Sequence, residues 1–181
     1  RENHCFTQPR IFPSAHSRFI YFQKEDRNPD YHAYNDTRFQ VVMMCGLPGS
    51  GKDTWIKQNL PEYKEISLDK LRSEMGIAHG GNQGEVANAA KALAKEYMRA
   101  GVSFVWNATN LNKQLREMLI SLFAAYQAEI RIVYLEAPWL ELLRRNKNRT
   151  DKVPDKVLYR MKNRLEVPKI IEAHCVDWIL S

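Results

Sequence analysis

An open α/β fold, a mainly parallel sheet with helices on both faces, is predicted from three observations. From residue 39 onward, short apolar runs alternate with segments of helical period. The first of these runs, Gln40-Val41-Val42-Met43-Met44-Cys45, passes directly into the glycine-rich stretch Gly46-Leu47-Pro48-Gly49-Ser50-Gly51-Lys52-Asp53-Thr54. Polar residues suited to chemistry then fall just after the second and third runs, where open parallel sheets hold their ligands.

The elements follow in order. Residues 1–38 show no helical period. Arg10-Ile11-Phe12-Pro13-Ser14 and Arg18-Phe19-Ile20-Tyr21-Phe22 carry aromatics, and Asn28-Pro29-Asp30-Tyr31 and Tyr34-Asn35-Asp36-Thr37 carry turn residues. This reads as an extended arm that packs on the domain or docks on a neighbouring one. Its aromatics and Arg18 serve either as buried anchors or as a base-stacking surface. Residues 39–181 form the main domain. Residues 40–45 are its first strand, and Thr54-Trp55-Ile56-Lys57-Gln58 opens a helix. Residues 64–68 are the second strand, followed by a short helix from Asp69. Residues 77–84 form a glycine-rich loop. A helix at 85–100 turns Val86, Ala90, Leu93 and Tyr97 to one face and ends at Gly101. Residues 103–107 are the third strand. Asn112 caps a helix whose apolar face is expected to be Leu115, Met118, Leu119, Leu122 and Tyr126. Residues 129–135 are the fourth strand, and Pro138 and Pro154 each begin a helix. Residues 174–179 are the last strand.

Composition narrows the classes. The 181 residues suffice for one domain with a real core, and 44% hydrophobic residues is ordinary for a globular chain. No apolar run has the length of a membrane span, so no membrane partner is expected. Cys5, Cys45 and Cys175 are isolated, which argues against a disulfide framework or zinc site and for a reducing cytoplasm. His4, His16, His32, His79 and His174 have no metal-ligand spacing. The chain opens on Arg1 rather than Met, as a piece of a longer protein with other domains would. Net charge is +6, and residues 144–169 alone hold ten basic and three acidic side chains. That local field suits a polyanionic partner; a solvated helical face is the plainer alternative.

The stretch 46–54 fits the spacing of a phosphate-binding P-loop, so the fold is of the P-loop NTPase type. Gly46, Gly49 and Gly51, with Pro48 and Ser50 between them, let the backbone wrap a phosphate chain with its N–H groups inward. The following helix N-terminus adds partial positive charge, and Lys52 reaches the β- and γ-phosphates. Asp53 stands where Ser or Thr usually holds Mg²⁺. A carboxylate is also a hard oxygen ligand, so Asp53 is the candidate metal ligand, with Thr54 or a water as the alternative.

Asp69 and Arg72 lie three apart after the second strand. As a general base and a phosphate clamp they would serve an acceptor hydroxyl; as an N-cap and an i,i+3 ion pair they would serve only the helix. Arg145 and Arg149 lie four apart and are placed on one helix face, either clamping phosphates or forming a surface pair. Lys152, Lys156, Arg160 and Arg164 repeat every four residues, as a stripe along a nucleic-acid backbone or as a solvated face.

Taken in order, Gly46 to Thr54, Ile66-Ser67-Leu68-Asp69-Lys70-Leu71-Arg72, Asn107-Ala108-Thr109-Asn110-Leu111-Asn112, Pro138 through Arg149, and Val153-Pro154 resemble the P-loop polynucleotide 5′-kinases, including the phage nucleic-acid repair kinase. The segment with Phe12-Pro13-Ser14 and Arg18 through Phe22 also resembles what precedes the kinase module in bacterial fusions of an HD phosphohydrolase with a polynucleotide kinase. The resemblance implies that Lys52 binds the donor phosphates and Asp69 is the general base for a 5′-hydroxyl. It implies that Arg72 contacts the acceptor phosphate, Arg145 binds the NTP and Arg149 is the lid arginine on the transferring group. Asp53 departs from the family pattern, as does Asn107-Ala108, where the family carries a carboxylate.

The expected function is therefore transfer of the γ-phosphate of an NTP (ATP or GTP), with Mg²⁺, to 5′-hydroxyl ends of DNA or RNA during end repair. Two alternatives stand beside it. One is a small-molecule kinase resembling the adenylylsulfate kinases, which share an Asp and Arg three apart. The other is a non-catalytic NTP-binding module.

Overall fold

The structure, a computed structural model, describes residues 11–23, 28–77, 81–149 and 152–181. Its five strands are β1 (Phe39–Cys45), β2 (Lys64–Ser67), β3 (Phe104–Asn107), β4 (Ala128–Glu136) and β5 (Cys175–Leu180). They form one sheet in the order β2-β3-β1-β4-β5, and every pairing is parallel. The helices are α1 (Ala15–Gln23), α2 (Lys52–Asn59), α3 (Leu68–Glu74), α4 (Gln83–Arg99), α5 (Lys113–Ala124), α6 (Trp139–Lys147) and α7 (Asp155–Asn163).

β1 is the central strand, and Val41, Val42, Met43, Met44 and Cys45 are completely buried. A strand covered on both faces reads as a continuous apolar run rather than an alternation, which is why it was legible. One face packs Val41, Met43 and Cys45 with Trp106, Ile130 and Ile132 against α4 and α5; the other packs Val42 and Met44 with Ile56 of α2. From β1 the chain goes to one side for β2 and β3 and to the other for β4 and β5. That reversal opens a crevice at the carboxyl end of β1, the position where such sheets bind ligands.

Two expectations are corrected. The arm is not wholly extended, because residues 15–23 form α1. Ser14 starts that helix by accepting from the Ser17 amide at 2.9 Å, and the Arg18 amide reaches the Ser14 carbonyl at 3.0 Å. Its buried side is His16, Ser17 and Phe19, and two polar residues on that side erase the apolar period. The Phe19 ring joins the main core and lies 4.0 Å from the His174 ring, whose Nε2 meets His16 Nδ1 at 3.0 Å. Of the face expected for α5, Leu119 is buried and Leu122 and Tyr126 pack against the core, but Leu115 and Met118 are exposed, and Arg116, Ile120 and Phe123 complete the buried side. An arginine at a core position turned the helix away from the face its apolar residues suggested. In α4 the buried row is Val86, Ala90, Ala94 and Met98, with Leu93 and Tyr97 packed at its margin. His4, Cys5, Arg10, His79 and Asp151 lie outside the described residues.

Candidate active site

The P-loop is built by backbone geometry. Gly46 has φ +144°, and a Cβ there would lie 2.5 Å from the Leu135 carbonyl oxygen on β4, so no larger residue fits. Its amide donates to the Thr109 carbonyl at 3.0 Å, tying the loop to the end of β3. Asn110, at φ +45°, donates from Nδ2 to the Met44 carbonyl at 2.6 Å and closes the same joint. Gly51 sits at φ +90° as the N-cap of α2, with no side-chain cap. The first-turn amides of α2 are thereby left for an anion.

Lys52 is the first residue of α2, and its Nζ donates to the carbonyls of Gly46 and Leu47, each at 2.9 Å. Burial pulls its pKa down to about 8 against the attraction of Asp53, Asp69 and Cys45, while Arg149 adds to the downward push. The same balance shows that Asp53, Asp69 and Arg149 all act on the Lys52 ammonium. Residues from the P-loop, from α3 and from beyond α6 are thus within electrostatic reach of Lys52. Thr54 is exposed, and Ser50 Oγ is buried without a hydrogen-bond partner among the described residues.

Asp53 is held from β3. Asn107 Nδ2 donates to Asp53 Oδ1 and to Glu65 Oε1, both at 2.7 Å. Glu65 is a site residue that the sequence reading missed. It supplies a carboxylate from β2 at the position where Asn107-Ala108 offers none. Ser67 pairs with Asn107 across the parallel ladder, and Glu65, two residues back, points to the same side. The alternation Glu65-Ile66-Ser67, with Ile66 in the core, was the available signal. Lys70 pairs with the same Glu65 carboxylate. Two hard oxygen donors converging on one amide fit Mg²⁺, which uses one or two carboxylates and fills its shell with water and substrate phosphate. Among the described residues, no group of three or more His, Cys, Asp or Glu is placed to hold a metal.

Asp69 lies in the first turn of α3, but Ser67 is the cap, its Oγ accepting from the Lys70 amide at 3.3 Å. The capping alternative for Asp69 is thus removed, while the ion pair is formed. Arg72 Nη1 meets Asp69 Oδ1 at 2.5 Å, and Arg72 Nε donates to Gln83 Oε1 at 3.1 Å. With its side chain only 16% exposed, Arg72 is braced between α3 and α4, whereas the Asp69 side chain is 66% exposed and open to an acceptor.

Arg145 and Arg149 do not share a helix face. Arg145 lies in the last turn of α6, and Arg149 follows the C-cap Asn148. Arg145 Nη1 donates to the Gly49 carbonyl at 3.3 Å and to Ser181 Oγ at 3.2 Å, while its Nε donates to Glu141 at 2.6 Å. The Arg144 and then the Arg145 guanidinium hold the Glu141 carboxyl down to about 2. The Arg149 amide donates to the carbonyl of Asn146 at 3.2 Å, and the buried Asn146 side chain exchanges hydrogen bonds with Val153 at 2.7 and 3.1 Å. Beneath the site, fully buried Arg116 forms an ion pair with Glu172 at 2.7 Å and donates to the carbonyls of Asn110, Leu111 and Glu166.

A family model described as an AAA domain matches residues 41–168. The chain belongs to that AAA domain family. Among curated proteins it is similar to an L-seryl-tRNA(Sec) kinase of Methanococcus maripaludis, 24% identical over 71% of this chain and 53% of the relative. It is also 24% identical to a bifunctional polynucleotide phosphatase/kinase of Schizosaccharomyces pombe, over 93% of this chain and 40% of the relative. The chain thus spans about half the length of these relatives or less. Among solved structures, the Mycobacterium tuberculosis APS kinase CysC in complex with AMPPNP and APS superposes with a TM-score of 0.54 at 16% identity, covering 78% of this chain and 89% of that one. The AAA-family chain has a P-loop kinase fold. Among the described residues no helix is long and apolar enough to cross a membrane.

Proposed function

We propose that this AAA-family chain is an NTP-dependent polynucleotide 5′-kinase module acting in end repair. The carrying observation is the P-loop with Lys52 hydrogen-bonded to its Gly46 and Leu47 carbonyls, and beside it an exposed Asp69 paired with an Arg72 that Gln83 braces. In the proposed reaction the P-loop amides and Lys52 hold the β- and γ-phosphates of ATP or GTP, and Arg145 adds a contact from α6. Asp69 accepts the proton of a 5′-hydroxyl as its oxygen bonds to the γ-phosphorus. The bond from that phosphorus to the bridging β,γ-oxygen breaks, and NDP leaves. Arg149 neutralises charge on the transferring group, and Arg72 holds the acceptor's own phosphate. Bound Mg²⁺ would neutralise donor phosphate charge, with Asp53 and Glu65 as its protein ligands. Residues 1–38 would be a docking arm that joins the module 39–181 to other domains of a longer cytoplasmic protein.

The similarity to the polynucleotide phosphatase/kinase over 93% of this chain supports a polynucleotide acceptor. The similarity to an APS kinase over 78% keeps a metabolite acceptor as the second reading. The test is a gel assay with a 5′-hydroxyl oligonucleotide, radiolabelled NTP and Mg²⁺, run beside a panel of metabolites. Labelling of the oligonucleotide that is lost in Asp69→Ala and Arg72→Ala is the expected result. Labelling of a metabolite alone overturns the acceptor. NTP binding with no transfer at all makes the chain a nucleotide-binding module.

A further inference from the structure

We infer that the outward face of α7 is a docking platform for single-stranded nucleic acid. The inference rests on the nucleic-acid part of the reading above and adds which form of the polymer the site takes and where it lies.

Placement comes first. Leu142 of α6 packs with Leu47 of the P-loop and with Leu111 after β3, and Trp139, Met161 and Leu165 close over them. The Glu166 amide donates to the Leu111 carbonyl at 2.9 Å, and its Oε2 accepts from the Lys113 amide at 2.7 Å. These contacts lay α7 across the carboxyl end of the sheet, beside the candidate active site. Its fully buried residue is Leu158. At about 100° per residue, Lys156 and Arg160 point almost directly away from Leu158. Arg164 continues that row at the C-cap.

The charge on this face is uncommitted. Lys156, Arg160 and Arg164 are exposed, and none has an ion pair among the described residues. On α6, one turn from the P-loop, Arg144 and Arg145 are instead both held by Glu141. The acid of α7, Asp155, sits in its first turn, where the helix dipole favours it.

An aromatic ring lies within the row. Tyr159 is 50% exposed. One side of it is braced by Trp139, with ring centroids 5.0 Å apart at 60°, and Lys162 Nζ lies 4.5 Å from the Trp139 ring. The bracing holds the Tyr159 ring in place while its other side faces solvent. Free cations flanking a fixed, half-open ring match a strand whose phosphates and unpaired bases are both available. A duplex keeps its bases stacked inside, and the carboxylates of an acidic peptide offer no aromatic face to the ring.

The test is fluorescence anisotropy without NTP, using a 3′-labelled oligo(dT) of about a dozen nucleotides, a length within single-strand site sizes. The Lys156→Ala/Arg160→Ala variant should bind about tenfold more weakly. Its salt dependence should flatten by roughly 1.4, two contacts at about 0.7 each. Tyr159→Ala should also bind about tenfold more weakly but with the salt slope unchanged, and Tyr159→Trp should restore affinity. All are exposed positions, so unchanged melting temperatures confirm the fold. Parental binding by both weakening variants, no binding by the parent, or a preference for duplex or for polyglutamate overturns the inference. Transfer to a nucleoside 3′-phosphate reports separately on the kinase reading. If transfer is absent while oligo(dT) binding depends on α7, only that reading fails; if transfer proceeds while the α7 variants bind normally, only the platform fails.

Discussion

The floor and the rim of the candidate site are built in opposite ways. The floor is the carboxyl end of β1, the P-loop root and the Arg116–Glu172 pair beneath them, all within the interior. Apart from Ser50 Oγ, its polar groups named above meet fixed partners: Gly46 with Thr109, Asn110 Nδ2 with Met44, Arg116 with Glu172 and three carbonyls. The rim is made of side-chain pairs at the surface: Asp69 with Arg72, Glu65 with Lys70, Glu141 with Arg144 and Arg145. Buried polar groups stripped of a partner cost stability, whereas exposed pairs exchange readily with water or with ligand phosphates. The floor should therefore answer to stability measurements and the rim to measurements of binding and transfer.

Arg116→Met breaks that contrast most strongly if it is wrong. It leaves the Glu172 carboxylate buried without its cation, and urea unfolding should show a loss of about 3–5 kcal/mol. Arg116→Met combined with Glu172→Met should recover part of this. A loss below about 1 kcal/mol in the single variant would place the pair with the rim.

The interior toward the amino end of the sheet, away from the site, carries a pH dependence. Burial, then the nearby His16 and Arg18, lowers the His174 pKa from 6.5 to about 4, and its Nδ1 accepts from the Ile130 amide at 3.0 Å. Below pH 6.5 the unfolded chain takes up the proton first. Stability is therefore intact above about 6.5 and falls as pH drops toward 4, by a total on the order of 3 kcal/mol. Unfolding midpoints measured from pH 7.5 to 4 check this, and His174→Gln should flatten the curve.

Asn107 lies at the seam: buried itself, it joins the exposed Asp53 of α2 to Glu65 of the rim. Asn107→Asp replaces the shared donor with a third carboxylate. It should cost about 1–3 kcal/mol without divalent cation, and added Mg²⁺ should recover much of that. Thermal melts with and without Mg²⁺ read the effect directly, and equal losses in both would remove this cluster from the metal's surroundings.

The smallest stability change belongs to the rim. Arg72→Ala loses an ion pair and the contact to Gln83, and its melting free energy should stay within about 1 kcal/mol of the parent. Transfer to the acceptor should nonetheless fall by about 10²-fold or more. The gap between those two readings is the sharpest statement of the difference between floor and rim.

The same division decides what was legible beforehand. The fold, the strand succession and the P-loop followed from local chemistry: a doubly buried strand must be an apolar run, and the loop after it needs glycine where a Cβ would strike Leu135. Asp69, Arg72 and Lys52 were singled out as candidates because each follows a strand. Arg149 was expected on the face of α6, and that placement was wrong, because the C-cap at Asn148 ends α6 before it. Helix α1 and the buried side of α5 were misread for one reason: His16, Ser17 and Arg116 occupy interior positions with partners distant in sequence, so the apolar period points elsewhere. Glu65 was passed over because nothing in its own segment shows that Asn107, on the next strand, brings it to Asp53.

By itself the sequence determined the backbone frame and the phosphate-binding loop, since both depend on residues within a few positions of one another. Only the tertiary structure decided which polar side chains meet. The pairs His16–His174, Asp53–Asn107–Glu65 and Arg116–Glu172 each join segments far apart in the chain, and side-chain chemistry alone does not choose among the many partners that composition allows.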